Sequence, residues 1–169
     1  MTKYGEVEHL VAETQKAFGD EIHILANVAG GLVARKSTAE MDEDFWDLIM
    51  NINLKSVFLA VKAVTPLMPS GSSIINFSSL AGRDGGGPGA SAYATSKGAV
   101  MTYTRSLAKE FGVNGFMFYH YWFDGKLYLE KPMEVFLENI DIDISFCVTW
   151  ANESWTRSWV GKPEVLLQK

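Results

Sequence analysis

Tyr93 and Lys97 stand four residues apart in SAYATSKGAV, so on a helix their side chains share one face. A free tyrosine has a pKa of about 10 and is a poor base at neutral pH. A neighbouring ammonium favours the phenolate, which makes a Tyr-x-x-x-Lys pair a workable proton-transfer device. Alone, such a pair is more often a feature of a solvated helix. Ser78 and Ser79 precede Tyr93 by 15 and 14 residues, in NFSSLAG (Asn76–Gly82). Further back lie NVAG (Asn27–Gly30) and, within NINLKSVF (Asn51–Phe58), Asn53. A second concentration of chemistry follows Gly115: an aromatic run with an embedded His120, then Trp150, Asn152, Glu153 and Arg157 in WANESWTR. Tryptophan and tyrosine faces stack on sugars, and the three polar side chains could bind sugar hydroxyls. The plainer reading is that alternating aromatics form core and that a lone histidine is a satisfied core residue.

These residues need elements to position them. Val7, Leu10, Val11, Thr14 and Phe18 recur at helical spacing before Gly19, which predicts a helix over Val7–Phe18. Ile22–Val28 reads as a short buried strand. Ser37 with Glu40 fits a capping box, and Asp42 is as good an N-cap. From there a long helix is expected over Asp42–Thr65, stopped at Pro66. Ser73–Phe77 reads as a strand, Gly82–Gly89 as a flexible loop, and Ser91–Phe111 as a helix stopped at Gly112. Beyond it come a strand (Phe116–Trp122), a helix (Lys131–Asn139, opened by Pro132) and a strand (Ile144–Trp150). Helices alternating with apolar strands predict an α/β fold: a parallel sheet of about four strands in sequential order, with flanking helices. Three helices then crowd one face and only the N-terminal helix and loops cover the other. Self-association into a homo-oligomer is expected to hide the remainder.

The chain has 169 residues, enough for one ordinary domain. With 47% hydrophobic and 21% charged residues it can bury a core. A net charge of −5 argues against nucleic acid as a main partner, and the single cysteine, Cys147, excludes an internal disulfide and a cysteine-based zinc site. No metal site, no membrane span and a cytoplasmic location are the expectations. The averages conceal a seam. Residues 1–114 hold 12 of the 15 glycines, whereas residues 115–169 hold 12 of the 21 aromatics, including four of the five tryptophans.

The order NVAG, Asn53, NFSSLAG, Tyr93-x-x-x-Lys97 closely resembles the short-chain dehydrogenase/reductase family across about residues 5–112. The resemblance implies a Rossmann-type fold and hydride transfer between NAD(P) and a carbonyl or alcohol carbon. It assigns Tyr93 as acid/base, and Lys97 as the lysine that assists it and holds the nicotinamide ribose. Ser79 matches the serine that binds the substrate oxygen, with Ser78 as the fallback, and Asn53 matches the asparagine of the proton relay. Asn27, Ala29 and Gly30 match the motif beside the adenosine half of the cofactor. The strand and glycine-rich turn that open this family are not among these residues. The letters G-x-G-x-x-A at Gly85, Gly87 and Ala90 fall instead in the serine–tyrosine loop, with Pro88 inside them. Tight dinucleotide binding is therefore not expected.

After Gly115 the pattern changes. FYHYWFDGK (Phe118–Lys126), LEKP (Leu129–Pro132) and WANESWTR (Trp150–Arg157) resemble the WbsX-like glycosyltransferase family, related to glycoside-hydrolase-type barrels, over about residues 115–168. This implies a carbohydrate site at His120, Trp150, Asn152 and Glu153, with Glu153 as acid or base and Asp124 as a weak second carboxylate. The organisation expected is a partial dehydrogenase segment (1–114) and a WbsX-like fragment (115–169) in one composite domain: half of a Rossmann-type fold extended by a barrel-derived strand–helix–strand. A chimera without robust catalysis is the leading functional expectation. The alternatives are a vestigial NAD(P)-dependent oxidoreductase and a carbohydrate-binding or glycosyl-transferring unit.

Overall fold

A computed structural model describes residues 1–112, 115, 117–122, 126–130 and 165–167. The elements run α1 (Tyr4–Phe18), β1 (Ile24–Asn27), α2 (Glu43–Met50), a π turn (Asn51–Lys55) and α3 (Ser56–Val64), then β2 (Ser73–Phe77), α4 (Leu80–Asp84), α5 (Ser91–Phe111), β3 (Met117–Trp122), β4 (Lys126–Glu130) and β5 (Val165–Leu167). The sheet order is β1-β2-β3-β4-β5. The fold is α/β, with β1, β2 and β3 parallel and helices packed beside them.

The local chemistry explains most boundaries. Gly19 takes φ 100° to end α1, and its N–H donates to Gln15 O. Asp42, not Ser37, caps α2: its carboxylate accepts from Phe45 N at 2.7 Å. Ser37 and Glu40 do bond, but there the serine hydroxyl donates to Glu40 at 2.6 Å, so the pair closes a turn ahead of the helix. Pro66 falls in a single 3-10 turn, Thr65–Leu67, which ends the long helix.

The core joins α1, α3, α5 and the helix-facing residues of β1 and β2. Val57, Val61, Val64, Met68, Ile74, Val100, Leu107 and Ala108 are buried together, with Val11 and Leu25 packed against them. This corrects one expectation. α1 does not cover the second face of the sheet; it lies on α3, with Lys62 Nζ 4.9 Å from the Tyr4 ring centroid. On the other face of β1, Ile24 remains 65% exposed.

Two further corrections concern elements. The stretch Gly82–Gly89 was expected to be loop, but its first residues belong to α4, capped by Ser79. The neighbour of β3 is the unanticipated β4, paired antiparallel with Phe118 opposite Glu130, and β4 in turn pairs parallel with β5. An Asp124-Gly125 dipeptide between two apolar runs is the hairpin signal that points to such a pairing. The expected helix Lys131–Asn139 and strand Ile144–Trp150 lie outside the described residues. Finally, the run Glu43–Leu67 is long and apolar enough to cross a membrane by length and composition, its most apolar 18-residue window having a mean hydropathy of 1.4. Here it is a core helix, burying Ile49, Val57, Leu59, Ala60, Val61 and Val64.

Candidate active site

β2 ends at Phe77, and the next five residues run through Ser78, Ser79 and α4 onto the flank of α5. α5 presents Tyr93 in its first turn and Lys97 one turn later, as the spacing requires. Tyr93 is half-buried, whereas Lys97 is only 4% exposed. The Lys97 ammonium donates to the Phe77 carbonyl oxygen at 2.7 Å. Burial pushes its pKa down from 10.5 to about 8, because the desolvated amine disfavours the charged form.

The two serines have separate roles. Ser78 Oγ donates to the backbone oxygen of Lys97 at 2.7 Å, which commits its proton to the fold. Ser79 Oγ instead accepts from Ala81 N at 3.2 Å as the cap of α4. An accepting hydroxyl keeps its own proton for another partner.

Asn53 is fully buried in the π turn, a helical irregularity that recurs at functional sites. Its side chain forms a closed pair with the backbone of one residue: Oδ1 accepts from Gly31 N at 2.9 Å and Nδ2 donates to Gly31 O at 3.0 Å. Nδ2 also donates to Ile49 O at 2.9 Å. The amide thus holds the loop that follows β1. Gly30, at φ 139°, must be glycine, since a Cβ there would collide with Asn53 Oδ1.

Asn27 is buried at the end of β1 and donates to Asn76 Oδ1 at 2.8 Å; Ala29 and Gly30 are exposed just beyond it. Asn76 Nδ2 continues to Thr104 Oγ1 at 2.9 Å, so β1, β2 and α5 share one buried polar chain. Sequence reading missed Asn76 and Thr104. The only signal was a polar residue interrupting each apolar face, in SIINF and two turns after Lys97. His120 is the register partner of Asn76 on β3. Trp150, Asn152 and Glu153 lie outside the described residues. The structure therefore gathers Asn53, Ser79, Tyr93 and Lys97 on elements that meet beyond the C-terminal ends of β1 and β2, where α/β sheets bind ligands.

The family model for Enoyl-(Acyl carrier protein) reductase matches residues 1–117, more than half of the chain. The chain belongs to the short-chain dehydrogenase/reductase family. The 3beta-hydroxysteroid dehydrogenase of Mediterraneibacter gnavus is 37% identical over 110 residues, which cover 64% of this chain and 39% of that protein. Among solved structures, the NADH-dependent reductase A1-R' complexed with NAD superposes with a TM-score of 0.69 at 34% identity, covering 72% of this chain and 53% of that one. A second family model, Glycosyltransferase WbsX, matches residues 88–169. The uncharacterized protein WxcX of Xanthomonas campestris pv. campestris is 44% identical over 63 residues, 37% of this chain and 9% of its own length. The chain thus spans less than half the length of these curated relatives. The two model matches overlap across residues 88–117, so this short-chain dehydrogenase/reductase segment shares α5 with the second match.

Proposed function

We propose that residues 1–112 form the proton-transfer half of an NAD(P)-dependent short-chain oxidoreductase site. The observation that carries this reading is the division of labour at α5. Ser78 is spent on the Lys97 backbone, Ser79 keeps its proton, and Tyr93 and Lys97 stand one turn apart beside them. Lys97 would hold a nicotinamide cofactor by its ribose, and that group would supply or take up the hydride at the reacting carbon. Ser79 donates a hydrogen bond to the substrate oxygen, and Tyr93 gives that oxygen its proton on reduction and removes it on oxidation. Lys97 has one of its three N–H bonds on Phe77 O, leaving two for a ribose hydroxyl and the tyrosine oxygen.

The residues present fit the nicotinamide–ribose end of such a cofactor. The buried Lys97 ammonium stands at this end of the sheet for that ribose, and the exposed backbone at Ala29 and Gly30 would line the adenosine half. They do not fit its pyrophosphate equally. The spelling Gly85-x-Gly87-x-x-Ala90 lies between α4 and α5 rather than between a strand and its helix, and Arg35 donates into it at Pro88 O. By itself, then, the chain carries the geometry without robust turnover, as a composite of two family segments working in the cytoplasm.

Two measurements test this. Calorimetry with NADH and NADPH is expected to show no saturable binding; strong binding lost in Lys97→Ala would make the chain a complete oxidoreductase. Grafting the preceding segment of the Mediterraneibacter gnavus relative ahead of residue 1 is expected to yield carbonyl reduction that Tyr93→Phe abolishes. A graft that folds and binds cofactor but reduces nothing overturns the site assignment.

The match over residues 88–169 favours a second reading, a carbohydrate-binding unit using His120, Trp150, Asn152 and Glu153. Sugar-dependent quenching of tryptophan fluorescence, absent in Trp150→Phe, supports it; no quenching across a sugar panel removes it. We also propose that the chain self-associates. Phe18, Ile24 and Phe58 are exposed, and an apolar groove of about 610 Å³ runs between α3 and α5, lined by Leu54, Phe58, Ala99, Thr102, Tyr103 and Ser106.

A further inference from the structure

We propose that Gly82 is a positioning residue: lacking a side chain, it lets α4 rest directly on the α5 backbone at Lys97–Gly98, and this contact sets where Ser79 stands relative to Tyr93 and Lys97. The inference rests on the oxidoreductase reading for what those three residues do. The geometry itself is independent of it.

Three ties converge on Lys97 from one short segment. Phe77 O accepts from its ammonium, and Ser78 Oγ donates to its backbone oxygen. The third is steric. A Cβ on Gly82 would sit 2.7 Å from Gly98 N, 2.7 Å from Lys97 C and 3.0 Å from Lys97 O. All three atoms are backbone in the middle of a 21-residue helix, so none can yield without bending α5. The opposing residue is also a glycine. A Cβ on Gly98 would meet Gly82 O at 3.0 Å, a milder conflict than the reverse.

Ser79 lies between these ties. Phe77 and Ser78 anchor one side of it, and the Gly82 contact anchors the other through α4, whose N-cap is Ser79 itself. A side chain at position 82 leaves the first two ties in place and lifts α4, so the segment pivots about Ser78 and carries Ser79 away from α5. Water then reaches the Lys97 amine beneath.

The test is a proton titration of Lys97 in the full chain, followed by the 13Cε resonance of labelled lysine and assigned with Lys97→Met. The wild-type midpoint is expected near 8. In Gly82→Ala it is expected to rise by about half a pH unit or more toward the ordinary lysine value, as desolvation is relieved. Gly98→Ala should move it in the same direction by less. Gly5→Ala, where an added Cβ meets nothing within 4 Å, should leave it unchanged.

A role in packing alone would lower the melting temperature without moving the Lys97 midpoint, and that outcome overturns the proposal. If Gly82→Ala does not fold by circular dichroism, Gly98→Ala decides the matter by the same criterion. The titration requires neither cofactor nor turnover. A chain that never reduces a carbonyl therefore leaves the positioning result standing, and an active graft with an unmoved midpoint refutes positioning alone.

Discussion

Lys97 is buried with its charge facing a single carbonyl, and folding must bear that desolvation. Below pH 8 the amine is protonated in both the folded and unfolded chain, so the penalty is fully present. Between about 8 and 10.5 the folded state releases its proton first, and stability rises with pH across that window. The gain amounts to about 3 kcal/mol at most. Urea unfolding at pH 7 and pH 9.5 should show it, and Lys97→Met should flatten the dependence while raising stability at pH 7. The serines separate in the same way. Ser78→Ala removes a hydrogen bond to the α5 backbone and is expected to cost about 1 kcal/mol. Ser79→Ala costs a similar amount as a lost cap, but it alone abolishes carbonyl reduction in the grafted enzyme. The motif named Ser79 first and Ser78 as the fallback; the structure adds that Ser78 is tied to the α5 backbone, 19 residues downstream at Lys97.

At the scale of elements, the buried chain Asn27–Asn76–Thr104 binds two strands to α5, the helix that carries Tyr93 and Lys97. Asn76 and Thr104 are fully buried, so cutting the chain exposes the cost of an unpaired amide. Thr104→Val is expected to destabilise by about 1–3 kcal/mol, and combining it with Asn76→Leu should recover part of that loss. Chemical unfolding of the four-member cycle checks it. Gly30→Ala tests the loop held by Asn53. The added Cβ and the φ of 139° both oppose it, and loss of more than about 2 kcal/mol is expected in the same assay. Regular elements were legible here because their signals are local. α5 spans Ser91–Phe111 as its periodicity and Gly112 indicate. The π turn and α4 were not legible. The first arises where Asn53 reaches out to Gly31, and the second where Gly82 can touch Gly98; neither contact has a local signature.

At the scale of the whole molecule, helices on one face and exposed apolar side chains elsewhere predict an oligomer. Light scattering is expected to show a species larger than the monomer, and Phe58→Glu, on the groove between α3 and α5, should shift it toward monomer. A wild-type monomer would falsify the proposal. The sheet bears on the same question, because β3 extends the dehydrogenase strands in parallel register while β4 turns back antiparallel.

The amino-acid order by itself determined the α/β class, the main helices and the four-residue spacing of Tyr93 and Lys97, because apolar period, glycine stops and helical geometry act within a few residues. The tertiary structure alone decided which serine keeps its proton, that Lys97 loses its water, what Asn53 holds, and that β4 rather than a later strand lies beside β3. Each of these depends on contacts between segments far apart in the chain. Desolvation and hydrogen-bond pairing are properties of such contacts, and no short stretch of sequence contains them.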